Sequence, residues 1–457
     1  MNFPKIQSYW LLWGTWILIL GLTSIFCWER VLYQDSAYAL FKVLNLQNTI
    51  EHGRYIVPLV LWPGYLFSAL SLPISWVVWG ISISNALWGF LLTLYFKRKT
   101  QWSLWTWSPA IILLGTGPDF FFLGISEMIP ALFLTLLFAY FLMHNCYWSL
   151  PFLLLAFFAH PGILPAVLTI FGVWGIENWK SKQLWQNLSF FLLLVSLKVK
   201  ILKNSEYEQG VMNQVNFNDL TEFSQSWGLE YFVSSLKSWL IPYVYFLLLI
   251  LAINKMSLKK ILGIITLTGA TMFIVFVYRQ GDSYLMMQKS FAPMILMVFV
   301  AFVMLNPEFL LNKKISFGIF SICLLGVFDR MNEGEFYRNR MKKLDKIIQS
   351  VGPGKFLTVS ATFPAEDYRV NWAIPYESFV RSASQHGAKN TTTFSLIDST
   401  EIKSISGNKM ESKIGEGQFI GANFAYPLSH TKLRGQYFQL DSFGYYKIYQ
   451  DITKKAP

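Results

Sequence analysis

The sequence predicts an α-helical polytopic membrane protein. Hydrophobic residues make up 54% of the 457 positions, charged residues only 14%, and the apolar residues gather in long uncharged runs. Soluble domains carry roughly 25% charged residues, and ~20 apolar residues cross the ~30 Å hydrocarbon core of a bilayer. We therefore expect a transmembrane domain over residues 1–328 with about 11 transmembrane helices, followed by a separate domain over residues 329–457.

The first span is an uncharged run from Tyr9 to Trp28. Only Lys5 precedes it, and no small-residue cleavage site follows in "LGLTSIFCWER", so we expect an uncleaved anchor rather than a signal peptide. Further apolar runs cover about 72–96, 102–118, 128–146, 147–176, 184–197, 238–253, 261–278, 290–307 and 315–328.

Two of the uncharged stretches decide the number of crossings. Residues 55–73 carry three prolines in "YIVPLVLWPGYLFSALSLP", which indicates an interfacial or re-entrant segment before a crossing near 74–96. Residues 147–176 are interrupted by "AHPG", so we expect two short helices that turn at His160. With these two assignments the number of membrane crossings is odd, about 11.

Charge placement sets the orientation, because Lys and Arg collect on the cytoplasmic side of a membrane protein. With a cytoplasmic N-terminus, the inside segments hold only two acids, Glu177 and Glu308, while most acids fall in the outer loops. The inside basic residues are Lys5, those of "KRK" at 97–99, Lys180, Lys182, Lys255, Lys259, Lys260, Lys313 and Lys314.

The odd number of crossings places residues 329–457 outside, as an extracytoplasmic C-terminal α/β domain. Five apolar residues recur at helical spacing, Tyr337, Met341, Leu344, Ile348 and Val351, and Gly352, Pro353 and Gly354 then end that helix. The stretches "KFLTVSATF" and "YYKIYQD" have the composition of strands. A Phe- and Lys-rich chain without a disulfide framework is typical of a bacterial inner (plasma) membrane protein.

The net charge of +12 indicates contact with membrane lipids, because positive charge in a membrane protein reflects orientation and anionic lipid. We predict no nucleic-acid partner. The three cysteines, Cys27, Cys146 and Cys323, have no CxxC spacing, which is evidence against a disulfide framework or a zinc site.

The first outer loop, at about 29–73, is long for a loop between neighbouring spans, and long loops are often functional. In "QDSAYALFKVLN" the residues Tyr38, Phe41 and Leu44 form one apolar stripe, which predicts a helix lying flat at the membrane interface. Asp35 lies at the N-terminal end of this helix, where the helix dipole favours a carboxylate.

This first span, the acid a few residues beyond it, the helix that follows and the outer C-terminal domain together resemble the GT-C superfamily of polyprenol-phosphate-sugar-dependent glycosyltransferases. The resemblance implies a polyprenyl-phosphate sugar donor and a general base or metal-binding acid in the first outer loop, which is Asp35. It also implies a second acid in the next outer loop, where "GPDFFFLGISEMIP" carries Asp119 and Glu127. Those two acids are eight residues apart and form no tight pair.

Sugar transfer from a lipid phosphate needs a base for the acceptor hydroxyl and cations for the phosphate leaving group. One carboxylate suffices for a single inverting displacement, so Asp35 is the predicted catalytic base. Arg54, Arg279 and Lys289 are the predicted phosphate ligands, and Arg279 and Lys289 bracket Asp282 in a short outer turn. No metal ligands are assigned, and a divalent metal stays open as a cofactor.

Alternatives to these assignments remain. Asp35 and Asp119 are residues that also cap helices, and Arg279 and Lys289 are residues that also anchor a protein at the interface. The alternative function is a non-catalytic GT-C-like membrane subunit that acts as a scaffold, with its C-terminal domain docking a protein partner. A transporter ranks last, because the predicted spans hold almost no ionisable residues.

Overall fold

A computed structural model of the chain describes residues 3–50, 55–100, 103–200, 226–253, 257–277, 284–307, 309, 311–369, 371–397, 419, 433–439 and 446–449. Its helices before residue 201 are α1 (Phe3–Ile25), α2 (Cys27–Val31), α3 (Gln34–Leu44), α4 (Val57–Ala69), α5 (Ile74–Thr100), α6 (Leu104–Gly115), α7 (Pro118–Phe121), α8 (Met128–Met143), α9 (Ser149–Ala159), α10 (Leu164–Asn178) and α11 (Lys182–Lys200). The later helices are α12 (Trp227–Leu236), α13 (Ile241–Ala252), α14 (Leu258–Val277), α15 (Tyr284–Leu305), α16 (Lys313–Val351), α17 (Ala365–Tyr368) and α18 (Ile374–His386).

The chain is a helical membrane protein by the length and composition of its helices. Within the described ranges, four helices are long and apolar enough to cross a membrane, and they lie in α5, α14, α15 and α16. The count becomes five if α12 and α13, which are bent by 74° relative to each other, form one broken span. Other apolar helices are shorter, such as the 12-residue α6, which rises only ~18 Å. The eleven predicted crossings stay a prediction.

The central helix is α15. In its apolar stretch within Met287–Leu305, 94% of the residues are buried. It packs against α6, α8, α10, α13 and α14. Its first turns bring Gln288 and Lys289 next to the short helix α7. The position of α15 therefore fixes two polar side chains among the ends of several helices.

Helices α1 and α5 pack side by side, and different contacts join them at their two ends. Where α1 finishes, α5 begins, and Ser82 on α5 donates a hydrogen bond to the carbonyl of Thr23 at 2.6 Å. We call this the loop end, defined by residues 26–44 and 116–127. At the opposite end of the same two helices, the Lys97 ammonium lies 5.0 Å from the ring centroid of Trp13, so α1 and α5 are antiparallel.

The longest element is α16, with 39 residues. It begins where the Asn312 side chain accepts a hydrogen bond from the backbone N–H of Ile315, and it ends at Gly352, whose φ of 70° is readily adopted by glycine. At 1.5 Å per residue the helix is ~58 Å long, about twice the hydrocarbon thickness. One continuous helix therefore crosses the predicted domain boundary at residue 328.

The C-terminal part contains a three-stranded parallel sheet in the order β2–β1–β3, with β1 at Gly354–Val359, β2 at Thr392–Ile397 and β3 at Lys447–Ile448. Helices α17 and α18 form the crossover between β1 and β2 that a parallel pair requires. The strands predicted in "KFLTVSATF" and "YYKIYQD" are present, and the buried stripe of α16 contains Tyr337, Met341, Leu344 and Ile348 as predicted.

Two further local predictions concern the proline-rich segments. The turn at His160 is confirmed: α9 ends at Ala159, and the His160 Nδ1 accepts the backbone N–H of Gly162 at 3.0 Å. The segment 55–73 contains the 13-residue helix α4, Val57–Ala69, with Pro63 inside it. A tight turn at Ser71, with φ of 61°, then leads into α5.

The predicted helix after Asp35 exists as α3, but the idea that its apolar stripe faces the lipid interface is wrong. Phe41 and Leu44 have no exposed surface. The Phe41 ring lies 5.0 Å from Phe419 and 5.5 Å from Phe438 between ring centroids. Aromatic rings of the C-terminal part, rather than lipid, therefore cover the apolar stripe of α3.

Candidate functional site at the loop end

Asp35 lies in the first turn of α3 and is exposed. The N-cap residue is Tyr33, which makes no side-chain capping bond, so Asp35 does not occupy the capping position that the alternative assignment gives it. The next residue, Ser36, accepts a hydrogen bond from the backbone N–H of Ile125 at 3.2 Å. This contact joins the start of α3 to the segment that carries Glu127.

The start of α3 is capped by a residue far away in sequence. The backbone N–H of Gln34, which has φ of 48°, donates to the Glu377 carboxylate at 3.3 Å. Glu377 is fully buried and forms an ion pair with Arg340. Burial raises the pKa of Glu377, and Arg340 offsets part of that rise. A second carboxylate at the N-terminus of α3, beside Asp35 of the first turn, thus comes from α18.

Asp119 belongs to the short helix α7 and is only 3% exposed. One carboxylate oxygen accepts a hydrogen bond from the Tyr337 hydroxyl at 3.0 Å, and the other accepts one from the Gln288 amide at 3.2 Å. Arg369 forms an ion pair with the same carboxylate. The N-cap of α7 is Gly117, so the Asp119 side chain binds tertiary partners instead of capping its own helix.

Glu127 and Lys289 form an ion pair with 3.7 Å between Oε2 and Nζ. Both side chains are largely buried, with 12% and 9% exposed. Gln288, the neighbour of Lys289, accepts the backbone N–H of Phe120 at 3.3 Å while it donates to Asp119. Two adjacent residues of α15 therefore bind the acids of the predicted second outer loop: Gln288 binds Asp119, and Lys289 binds Glu127.

Arg369 is a site residue that the sequence reasoning missed. Its guanidinium bridges Asp119 and Glu333, with 2.6 Å between Nη2 and the Glu333 carboxylate, and it lies 4.1 Å from the Phe336 ring centroid. Burial lowers the pKa of Arg369. Its φ of 54° is rare for a residue with a side chain, a conformation that the sequence does not reveal.

Two more missed residues are the buried arginines Arg30 and Arg330. Their guanidinium carbons lie 3.9 Å and 5.3 Å from the Phe121 ring centroid. Each follows an acid at the edge of an apolar run, in "WER" and "FDR", a pattern that could have drawn attention to them. Sequence alone does not show that two arginines 300 positions apart stack on the same Phe121 ring.

The loop end therefore gathers four predicted site residues: Asp35, Asp119, Glu127 and Lys289. Arg54, Arg279 and Asp282 lie outside the described residues. Within the residues that the structure describes, no group of three or more His, Cys, Asp or Glu side chains could hold a metal ion. The arrangement offers an exposed carboxylate, buried carboxylates that are already engaged, and several cations.

These features define a helical membrane protein with a polar cluster at one end of its helices. Comparisons with protein-family models, with curated proteins and with solved structures find no match to this chain.

Proposed function

We propose that the protein is a membrane glycosyltransferase of the GT-C type, which moves a sugar from a polyprenyl-phosphate carrier to a lipid or protein acceptor. Asp35 is its general base. The proposal includes about 11 crossings, a cytoplasmic N-terminus, and a loop end and C-terminal α/β domain that face the outside of a bacterial inner membrane.

The observation that carries the proposal is the exposure of the Asp35 side chain at the loop end. Asp119 is buried beneath Tyr337, Gln288 and Arg369, and Glu127 is largely buried beside Lys289. A general base must reach the acceptor hydroxyl within hydrogen-bond distance. Asp35 is the exposed member of this set.

The cations of the loop end support the second requirement of the reaction. A phosphate leaving group is stabilised by preorganised positive charge, and Lys289 is held in place by Glu127. Arg369 adds a guanidinium that is 31% exposed at the side chain. Phosphate binding by Lys289 is part of this proposal, together with Arg54 and Arg279.

The test is product formation by the purified chain in nanodiscs, given a panel of polyprenyl-phosphate sugars and read by mass spectrometry. The proposal predicts a glycosylated lipid or peptide, or slow donor hydrolysis when no acceptor is added. Absence of turnover with every donor, in folded protein, would contradict it.

The second candidate is a scaffold subunit, and one observation favours it. The C-terminal part is tied closely to the loop end, through Arg369 on Asp119 and through Glu377 on Gln34, so an outer domain would be held rigidly for a protein partner. A stoichiometric partner that survives purification, together with absent turnover, would support the scaffold.

A further inference from the structure

Arg30 is a buried cation with unsatisfied hydrogen-bond donors. Its side chain is 3% exposed, and within the described ranges its Nε and Nη1 have no acceptor. Burial and, second, the neighbouring Arg330 lower the pKa of Arg30 to about 9, so the guanidinium stays charged at neutral pH. A buried charge is expensive unless it is paired.

Arg330 lies beside it and has no exposed surface. Its Nη1 donates to the Gly326 carbonyl at 2.8 Å, and its Nη2 donates to the Thr116 carbonyl at 2.6 Å. Its Nε lacks a partner in the part of the chain that the structure describes. Backbone carbonyls orient this guanidinium but bring no negative charge to it.

The nearby carboxylates are used by other cations. Glu29 accepts from Arg338 at 3.1 Å, and Glu333 pairs with Arg369. Asp329 precedes Arg330 in the chain and its charge acts on Arg330 electrostatically, but among the described residues it forms no ion pair or hydrogen bond with either guanidinium. Two positive charges therefore share the Phe121 ring, and no carboxylate of the described segments is bonded to them.

We propose that Arg30 and Arg330, stacked on Phe121, form a binding site for a single phosphate group, either a lipid headgroup or free phosphate. A guanidinium presents a planar fork of donors that matches phosphate oxygens, and Arg30 still has unused donors.

This site adjoins the cluster around Asp119, because Phe121 and Asp119 both belong to α7, but its cations contact different side chains. Arg330 precedes Tyr337, which bonds Asp119, by seven residues on α16, and this spacing corresponds to ~10 Å along a helix. The inference goes beyond the proposed function, because phosphate binding at the arginine pair requires no sugar transfer.

The experiment uses the full chain in a maltoside detergent and phosphate-free buffer, so that no lipid phosphate competes. Thermal unfolding is followed with inorganic phosphate, with lysophosphatidic acid, and with a monoacylglycerol of the same acyl chain. We expect lysophosphatidic acid, inorganic phosphate or both to raise the unfolding temperature, and the monoacylglycerol to leave it unchanged. The two phosphate probes distinguish the lipid source from the free source.

Variants assign the binding to the pair. Arg30→Gln is expected to weaken the affinity roughly tenfold or more, the loss typical of a charge-assisted hydrogen bond. It removes an unpaired buried charge and should fold without ligand. Arg30→Lys keeps the charge but not the fork and is expected to bind more weakly than the wild type as well. Arg338→Gln removes a nearby guanidinium that is 41% exposed and bonded to Glu29, and it should retain the affinity.

Three results would overturn the site: no shift with either phosphate probe, an equal shift with the monoacylglycerol, or unchanged affinity in Arg30→Gln. None of these readouts depends on turnover. A failure of the glycosyltransferase proposal and a failure of this site are therefore distinguishable.

Discussion

Asp119 is held by side chains from three distant parts of the chain, Gln288, Tyr337 and Arg369. Asp35 is exposed, and its neighbour Ser36 bonds Ile125 of the segment that follows Asp119. The same residue type thus has two roles at the loop end. Asp119 joins α7, α15, α16 and the C-terminal part, while in our proposal Asp35 is presented to a substrate.

A double-mutant cycle tests the structural role of Asp119. Asp119→Asn and Arg369→Gln each remove a partner from a largely buried ion pair, and each should lower the free energy of unfolding by about 1.5–3 kcal/mol. The double variant should lose less than the sum, with a coupling of about 0.5–3 kcal/mol. The readout is thermal unfolding in detergent.

The matched control for that cycle is Asp345 and Arg381, which form a two-bond pair at 2.8 Å between α16 and α18. Both cycles should show coupling, but only Asp119 and Arg369 should also alter donor binding. Strictly additive losses for Asp119 and Arg369 would contradict the contact.

Alkaline pH tests the buried Tyr33 at the start of α3. Burial raises its pKa from 10.0 to about 12, so the folded state holds the phenolic proton more tightly than the unfolded state. This contribution to stability is complete below pH 10 and is lost as the pH rises towards 12, by roughly 2–3 kcal/mol.

Tyr33→Phe should therefore flatten the fall in unfolding temperature between pH 10 and 12. Tyr55→Phe is the control, because Tyr55 is 64% exposed, and it should leave the profile unchanged. An unaltered profile in Tyr33→Phe would argue against the buried position.

Helix α16 approaches α6 closely at one glycine. A Cβ at Gly326 would collide with the carbonyl oxygen of Leu114, and Arg330, one turn later, bonds the carbonyls of Leu113 and Thr116. The absence of a side chain at Gly326 therefore allows the hydrogen bonds that orient Arg330.

Gly326→Ala should push α16 away from α6 and lower the free energy of unfolding by about 1–3 kcal/mol. Gly269→Ala on α14 is the matched control, since a Cβ added there would have no described atom within 4 Å beyond its own helix backbone; it should raise stability by about 0.5–1 kcal/mol, as expected for glycine in a helix. Thermal unfolding of both variants gives the comparison, and equal stabilisation by the two alanines would contradict the close approach.

The elements that sequence reasoning predicts correctly are those set by local patterns. The apolar spacing of α16, its end at Gly352 and the turn at His160 depend on neighbouring residues. The partners of Asp119 could not be predicted in this way, because Tyr337 and Arg369 lie more than 200 positions along the chain. The burial of the α3 stripe within the protein could not be predicted for the same reason, since the rings that cover Phe41 come from the C-terminal part.

At the scale of the whole molecule, the described segment 433–439 packs against the end of the first loop. Arg434 donates to the Ser68 carbonyl at 2.9 Å, and the Tyr437 hydroxyl donates to the Leu72 carbonyl at 2.7 Å. These bonds reach backbone acceptors at and just beyond the end of α4, and the Ser68 carbonyl also accepts from the backbone N–H of Ser71. The C-terminal part thus fixes the turn between α4 and α5.

Arg434→Ala should loosen this turn. We expect faster hydrogen exchange at residues 68–73 and a loss of about 1.5–3 kcal/mol from the charge-assisted hydrogen bonds of the Arg434 guanidinium. Gln439→Ala is the control, because the Gln439 amide bonds only the nearby Gly435 carbonyl among the described residues. Unchanged exchange in Arg434→Ala would show that the turn is stable on its own.

The decisive measurement for the glycosyltransferase proposal is the rate of sugar transfer by wild-type protein and by Asp35→Asn, with Asp345→Asn, whose carboxylate pairs with Arg381, as a carboxylate control. Loss of a general base typically lowers the rate by about 10²–10⁴-fold. We expect such a loss in Asp35→Asn, with an unchanged unfolding temperature and a normal rate in Asp345→Asn. Transfer at the wild-type rate by Asp35→Asn would contradict the role of Asp35 as the base.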